Sequence, residues 1–402
     1  MKTRTFNAKI IALALILATA TGIALFPMVQ QAQAIQNTST TTAIPGQSHR
    51  VEVVFILDTT SSMSGLIQAA KEKIWSIAST MASAKQNPDI RMGLVAFRDR
   101  GDAYVTRVYD LSDDLDSMYA SLMDFRAVGG GDGPESVNQA LYDAIHKVSW
   151  SQDSNVYRVA FLVGDAPPHM DYADDVKYPL TLAAAKRKGI VVNTIQSGQH
   201  QYTRPAWRQI AALGEGSYFQ VEDSGNAVAV ATPFDKKLST LASELEDTRL
   251  YFGDEETRVK QKAKLDASSK LRKELSTEAL ARRSAYNATE SGKKNLLGES
   301  ELVDAVTSGR VDLEEIKRED LPASMQMMAP AEAMEVITEQ AQRREALKQE
   351  IKELSESRNR FIRQKVEAEG GADDSLDEKI YRAVKDQAAS AGLSYESDSA
   401  KY

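Results

Sequence analysis

Two aspartates in this sequence come at the ends of apolar segments of the kind that form buried strands. Asp58 directly follows one such segment, and a single glycine separates Asp165 from another. The hydroxyl residues Thr60 and Ser62 follow Asp58 at alternate positions, so one turn could gather three oxygen side chains around a point. Hard divalent cations such as Mg²⁺, and also Mn²⁺ or Ca²⁺, prefer ligand shells made of oxygen. The spacing therefore indicates a cation site.

A glycine-rich loop between these two segments could add another oxygen. Residues 129–134 read Gly-Gly-Gly-Asp-Gly-Pro, and glycines let the backbone approach a bound ion closely. Asp132 is the predicted contact, with Glu135 and Ser136 as alternatives. A third carboxylate would raise the affinity for the cation and weaken the positive field left for a ligand's acid group. We therefore expect a site that binds metal without help from a partner and prefers neutral or weakly acidic ligands.

The same residues also have plainer interpretations. Asp58 could cap a helix, although three loops converging on one edge favour the metal site. The glycine loop lacks the Gly-Lys-Ser/Thr ending of a phosphate-binding loop. His169 is interpreted as an exposed loop histidine, and Arg98-Asp99-Arg100 as surface charge pairing.

Buried strands alternating with amphipathic helices must position these residues. The strands are predicted at Val51–Leu57, Ile90–Phe97, Tyr104–Tyr109 (an edge strand), Tyr157–Val163, Ile190–Ile195 and Ser217–Val221. The helices are predicted at Ser64–Ala84, Leu115–Phe125, Val137–Val148, Leu180–Lys188 and Trp207–Leu213, with a further helix from Ala227. This alternation is typical of an α/β fold with a doubly wound, mostly parallel sheet flanked by helices. Ligands bind outside the carboxyl ends of the strands in such sheets, which is where the aspartates fall.

Three motifs in this order resemble the metal-ion-dependent adhesion site (MIDAS) of the von Willebrand factor A superfamily. They are Asp-x-Thr-x-Ser at residues 58–62, the glycine loop, and Gly-Asp-Ala-Pro at residues 164–167. The resemblance covers about residues 50 to 247 and implies a Rossmann-like fold that acts as a binding module.

The resemblance also implies roles for single residues. Thr60 and Ser62 would ligate the metal directly, and Asp58 and Asp165 directly or through water. The family usually has a threonine in the middle loop, and this sequence has none there. That departure is why Asp132, Glu135 and Ser136 remain alternatives for the remaining contact.

The character of the chain changes after about Phe234, where Glu, Lys, Arg, Ala and Leu dominate, as in long helices. Leu347, Ile351, Leu354 and Phe361 have a heptad-like spacing that Arg358 interrupts, which indicates a coiled coil in part and an oligomer as one outcome. The predicted divisions are a signal peptide at 1–34, a polar linker at 35–50, the α/β domain at 51–247, a helical region at 248–392 and a loose tail at 393–402.

The N-terminus has the pattern of an export signal. Lysines and an arginine precede an apolar run from Ile10 to Phe26, and Ala32-Gln33-Ala34 fits a signal-peptidase site. We expect an exported bacterial protein, periplasmic or secreted, whose mature chain starts near Ile35. An uncleaved membrane anchor is the alternative, because the run is long for a signal and short for a span.

Composition excludes several classes of function. The formal net charge of −8 argues against nucleic acid or an anionic membrane surface as a partner. The chain has no cysteine, so a thiolate zinc site, a disulfide framework and a cysteine nucleophile are excluded. Its four histidines are far apart in sequence, which disfavours a histidine metal site.

Three functions compete for this sequence. The first is a binding module for a protein, or a glycan, in which an acidic group of the partner completes the metal shell. The second is a Mg²⁺-dependent hydrolase of the haloacid-dehalogenase type, but Thr60 occupies the position where that site needs a general acid. The third is a helical oligomerisation scaffold with an inert α/β domain. We expect the first and no enzymatic activity, because no paired acid and base stands out.

Overall fold

The computed structural model describes residues 49–65, 67–131, 133–221, 230–368 and 376–395. A six-stranded sheet forms its centre, with the strand order β3-β2-β1-β4-β5-β6. The strands are β1 (Arg50–Asp58), β2 (Asp89–Phe97), β3 (Thr106–Ser112), β4 (Val156–Gly164), β5 (Ile190–Ser197) and β6 (Glu215–Val221). All neighbours are parallel except β2 and β3, which are antiparallel. The predicted α/β fold is confirmed.

Helices cover both faces of this sheet and continue beyond it. Those of the α/β part are α1 (Ile67–Ala82), α2 (Leu115–Met123), α3 (Val137–His146), α4 (Tyr178–Arg187) and α5 (Arg204–Leu213). Those that follow the sheet are α6 (Asp235–Glu246), α7 (Glu255–Glu274), α8 (Thr277–Asn287), α9 (Lys293–Leu297), α10 (Leu302–Thr307), α11 (Pro330–Ala368) and α12 (Leu376–Ala388). The helical C-terminal region predicted from composition is therefore present.

The order of the strands reverses direction between β1 and β4. Chain order runs outward through β2 and β3 on one side and through β5 and β6 on the other. The crossover connections diverge at such a point, and a crevice opens at the carboxyl edge of the sheet between the two strands. Asp58 closes β1 and Asp165 directly follows β4, so the two aspartates flank this crevice.

Each face of the sheet has its own apolar core. Alternate residues of β1 point to opposite faces, so Phe55 lies in one core and Ile56 in the other. The core with Ile56 is closed by α3, α4 and α5. The core with Phe55 is closed by α1 and α2 and also by residues far along the chain, namely Leu271, Tyr286, Ile380, Tyr381, Val384, Ala388, Leu393 and Tyr395. The helical region therefore completes the core of the α/β part.

The remaining helices form two further apolar clusters. One joins α6, α8, α9 and α11, and it buries Leu347 and Ile351, two of the four residues with heptad-like spacing. The other surrounds α10 and contains Met325 and Ile337. The heptad-like stripe of α11 thus packs in part against helices of the same chain. A coiled coil and an oligomer stay predictions.

Some element bounds differ from those predicted. The predicted start of a helix at Ala227 lies outside the described residues. The described helix α6 begins at Asp235, whose side chain accepts a hydrogen bond from Thr232 N at 2.6 Å. The edge strand begins at Thr106, two residues later than predicted.

The predicted division into domains stays a prediction. Leu393 and Tyr395, which fall in the predicted loose tail, are buried in the described structure.

None of the described helices is long and apolar enough to cross a membrane. The predicted export segment lies outside the described residues.

Candidate metal centre

The loop after β1 is wrapped around the carboxylate of Asp58. Its Oδ1 accepts hydrogen bonds from Thr60 N at 2.9 Å and from Thr60 Oγ1 at 2.6 Å. The Oγ atoms of Thr60 and Ser62 are 3.0 Å apart, and a short 3-10 helix begins at Ser61. This turn places one carboxylate and two hydroxyls side by side, as the alternating spacing predicted.

The loop after β4 meets that turn across the crevice. Ser62 Oγ donates to Asp165 Oδ1 at 2.9 Å, so a continuous set of hydrogen bonds joins the ends of β1 and β4. Gly164 allows this close approach, because a Cβ at that position would be 2.8 Å from Asp58 Cβ. The structure therefore brings together all four residues on which the sequence interpretation depends, Asp58, Thr60, Ser62 and Asp165.

The middle loop contributes Glu135. A Cβ on Gly130 would lie 3.0 Å from Glu135 Oε1 and 3.2 Å from Thr60 Cβ, so this carboxylate lies beside the first loop. Its backbone is tied to the third loop, since Glu135 N donates to Pro167 O at 2.9 Å. Ser136 Oγ instead donates to Asp99 Oδ1 at 2.9 Å. The predicted contact Asp132 lies outside the described residues, and of the two alternatives Glu135 is the one at the site.

The electrostatics of the site favour a cation. Asp58 and Glu135 are buried, and Asp58 Oδ2 and Glu135 Oε2 have no hydrogen-bond partner among the described residues. Burial raises the pKa of Asp58 to about 7, and the charge of Asp165 adds to the increase in its pKa. Burial also raises the pKa of Glu135 to about 9, together with the charges of Asp58, Asp99, Asp102 and Asp165. A buried negative charge without a counter-charge is costly, and a bound divalent cation would supply that counter-charge.

The donor set fits a hard cation. Carboxylate and hydroxyl oxygens from three loops are available, and such ions take oxygen ligands. Within the described ranges, no group of three or more His, Cys, Asp or Glu side chains is arranged to hold a metal. At the crevice, the hydrogen-bonded set consists of two acids, Asp58 and Asp165, and two hydroxyls, Thr60 and Ser62, with Glu135 beside it.

A second set of buried polar residues lies behind Glu135, and the sequence interpretation of it was wrong. His169 and Asp99 were expected at the surface, yet they are 3% and 6% exposed. His169 Nδ1 is 2.8 Å from Asp171 Oδ1, its ring stacks on Tyr172 at 4.0 Å, and Tyr172 OH donates to Asp99 Oδ2 at 2.9 Å. His169 N donates to Glu135 O at 3.0 Å, so this set helps to hold the middle loop.

The position of Asp99 in the sequence could have predicted that it lies near the site. It follows the end of β2 by two residues, and β2 is the neighbour of β1, so the rule that identified Asp58 also applies to Asp99. Of the three residues Arg98, Asp99 and Arg100, the prediction of surface charge pairing holds only for Arg100, whose half-exposed guanidinium binds Asp174 and Asp175.

Comparison with known proteins supports the interpretation of this part of the chain. Residues 52–230 match the family model described as von Willebrand factor A domain. A stretch of 124 residues is 30% identical to alpha-protein kinase vwkA of Dictyostelium discoideum. It makes up 30% of this chain and 19% of the kinase, so the chain spans about a fifth of that relative.

Solved structures of proximal thread matrix protein 1 (PTMP1) from the mussel byssus are also similar. One crystal form has a TM-score of 0.35 and 15% identity, and the match covers 44% of this chain and 42% of PTMP1. Another, with a zinc-occupied MIDAS motif, has a TM-score of 0.34 and 16% identity over the same shares of the two chains. The family match and the kinase match support a von Willebrand factor A-type domain at the sheet described above.

Proposed function

We propose that this protein is a binding module, not an enzyme, whose partner docks at the carboxyl edge of the sheet over a divalent cation. The observation that carries the proposal is the meeting of Asp58, Thr60, Ser62 and Asp165 beside two buried carboxylate oxygens that have no hydrogen-bond partner in the described chain. Thr60 and Ser62 would ligate the cation directly, and Asp58 and Asp165 directly or through water. Mg²⁺ is the proposed ion, with Mn²⁺ or Ca²⁺ as alternatives.

Glu135 is the proposed contact from the middle loop within the described residues, and Asp132, which lies outside them, stays a predicted ligand. With Glu135 the site has three carboxylates, which together exceed the charge of one divalent ion. Such a shell retains the metal by itself and leaves little positive field for a ligand. A neutral or weakly acidic group of the partner therefore fits the remaining coordination better than a strong acid.

Apolar side chains around the crevice support a protein partner. Val128, Met170 and Tyr202 are each at least half exposed. Val128 N donates to Thr59 O at 3.0 Å, and Thr203 Oγ1, next to Tyr202, donates to Asp165 O at 2.9 Å. Exposed apolar groups that rim a polar centre are typical of protein-binding surfaces.

Calorimetric titration of the full chain with Mg²⁺ and Mn²⁺ tests the metal site. We expect one cation per chain, and at least a roughly tenfold weaker affinity in Asp58→Asn, because the variant loses a charged oxygen ligand. Asp58→Asn is expected to fold, since its amide is cheaper to bury than a carboxylate. The matched control is Asp266→Asn, an exposed residue of α7. Absence of cation binding by the unmodified chain would refute the proposal.

We also propose that the protein is exported, either to the periplasm or out of the cell. The basic start, the apolar run to Phe26 and the Ala-x-Ala pattern at 32–34 support this. Mass spectrometry of the protein produced in a bacterial host should give an N-terminus near Ile35. A mature chain that still begins at Met1 would instead support the membrane anchor.

A further inference from the structure

A cavity of about 500 Å³ lies between the α/β part and the helical region, lined by α1, α8 and α11 and the segments next to them. The C-terminal end of α1 supplies one wall and α11 supplies the opposite wall. The volume is in the range of sites for small molecules. The cavity shares no residue with the candidate metal centre at the carboxyl edge.

The charged side chains of this cavity that are shielded from solvent are all cations, while Lys352 is an exposed cation of the lining. The deepest charged side chain is Arg358, which is 2% exposed, and Arg282 and Lys348 are also largely shielded from solvent. The acids that line the cavity, Glu290, Glu345 and Glu356, are exposed at its rim. An oxyanion that enters the cavity would therefore meet cations in its interior.

One of these cations is already partly compensated. Arg358 Nε donates to Asp235 Oδ1 at 2.7 Å, and Asp235 is not among the residues that line the cavity. Burial lowers the pKa of Arg358, and the neighbouring charge of Arg282 lowers it further. The two arginines, which both line the cavity, are thus near enough for their charges to interact.

Three residues that line the cavity, each on a different helix, carry buried donors without an acceptor among the described residues. Arg282 Nε, Ser79 Oγ and Ser355 Oγ are buried atoms with no hydrogen-bond partner in the described part of the chain. They come from α8, α1 and α11, so they approach from three directions. A planar carboxylate offers two oxygens in one plane, whereas a phosphate group offers three or more oxygens arranged as a tetrahedron. Donors from three directions match the phosphate better, and arginine forks bind it in pairs of hydrogen bonds.

We propose that this cavity is a binding site for a small molecule that carries a phosphate group. Arg282 and Arg358 hold the phosphate, Ser79 and Ser355 donate to its remaining oxygens, and the rest of the molecule extends toward the rim. Because its walls belong to both the sheet-flanking helix α1 and the helical region, the bound molecule holds these two parts of the chain against each other.

Calorimetric titration of the full chain with inorganic phosphate, a sugar monophosphate and acetate, without divalent cations, tests this site. We expect binding of both phosphates, tighter for the sugar phosphate, and no binding of acetate at the same concentration. Arg282→Gln, which keeps much of the side-chain stem, and Ser355→Ala should each weaken binding, the first by about tenfold or more.

The matched control is Arg343→Gln, an exposed arginine of α11 outside the cavity, which should bind as the unmodified chain does. Asp58→Asn should also bind phosphate normally, which separates this site from the metal centre. Thermal unfolding curves check that each variant is folded. The proposal is overturned if neither phosphate binds, if acetate binds equally well, or if Arg343→Gln and folded Arg282→Gln lose affinity by the same factor.

Discussion

The two oxygens of Asp58 have different surroundings. Oδ1 accepts from the backbone and the hydroxyl of Thr60, while Oδ2 is buried with no hydrogen-bond partner among the described residues. The hydrogen bonds fix the direction of the carboxylate without satisfying it. A ligand residue held in this way is pre-oriented, so little conformational entropy is lost when a cation binds.

Cation affinity should depend steeply on pH, because binding requires the deprotonated acids. The pKa of Asp58 in the metal-free protein is raised to about 7 and that of Glu135 to about 9. Below a raised pKa the site holds a proton that the cation must displace, so affinity falls as pH falls. Between pH 8 and pH 6 we expect a loss of about tenfold or more in Mn²⁺ affinity, measured by titration at each pH. A constant affinity over this range would mean that neither acid is a ligand.

The residues of the centre differ in how far the sequence could predict them. Asp58 and Asp165 were predictable because the carboxyl ends of parallel strands share one edge, and Thr60 and Ser62 because they alternate after Asp58. The choice of Glu135 over Ser136 depends on the direction of their side chains in an irregular loop. Such directions cannot be predicted from the periodicity of the sequence. His169 was wrongly expected at the surface, because only the fold reveals its stacking on Tyr172 and its contact with Asp171.

At the scale of the elements, a buried arginine joins helices that are distant in the chain. Arg283 of α8 is fully buried and binds both Asp116 of α2 and Glu246 of α6. Asn295 Nδ2 also donates to Asp116 Oδ1 at 3.2 Å. Burial alone would raise the pKa of Asp116, but the charge of Arg283 and the hydrogen bonds that Arg283 donates lower it. This network connects the helical region to a helix that flanks the sheet.

Replacing Arg283 by Met should strongly destabilise the protein, by about 3–5 kcal/mol, because two buried carboxylates lose their counter-charge. Urea unfolding followed by circular dichroism measures the change. Arg310→Met provides the comparison, since Arg310 pairs with Asp304 at the surface and such pairs contribute about 0–1 kcal/mol. Equal losses in the two variants would show that the buried network does not hold the helices.

The extents of most strands and helices followed from hydrophobic periodicity, but the packing of the later helices did not. A periodic stripe on α11 shows that one face is buried without showing what covers it. The heptad-like spacing is compatible with a partner chain, whereas in the structure Leu347 and Ile351 pack against α6, α8 and α9. Arg358, which interrupts that spacing, lies instead in an ion pair with Asp235.

At the scale of the molecule, the α/β part is closed by residues from the end of the chain. Trp75 of α1 packs on Tyr286 at 5.7 Å between ring centroids, and Gln387 of α12 exchanges hydrogen bonds with Asn193 of β5 at 2.9 and 3.1 Å. Residues of the helical region are thus part of the same apolar core as the sheet.

A chain truncated after Asp247 should fail to fold cooperatively. It loses Leu271, Tyr286, Tyr381 and Val384 from the core, and each buried apolar side chain contributes about 1.5–3 kcal/mol, so the loss is similar to the whole stability of a domain. Thermal unfolding followed by circular dichroism checks this, with the full-length chain as the reference. A sharp transition in the shorter chain at an unchanged temperature would show that the α/β part is autonomous.

The contribution of α12 to the core also determines how late in synthesis the α/β part can finish folding. β1 leaves the ribosome well before α12, which begins at Leu376 and contributes to the same apolar core. At about 5–20 residues per second, the interval between the two is on the order of tens of seconds. Throughout that time the apolar core that contains Phe55 and Phe161 lacks the residues of α12. The nascent chain would therefore be a substrate for chaperones and, if it is exported, would reach the translocation machinery before this core is complete.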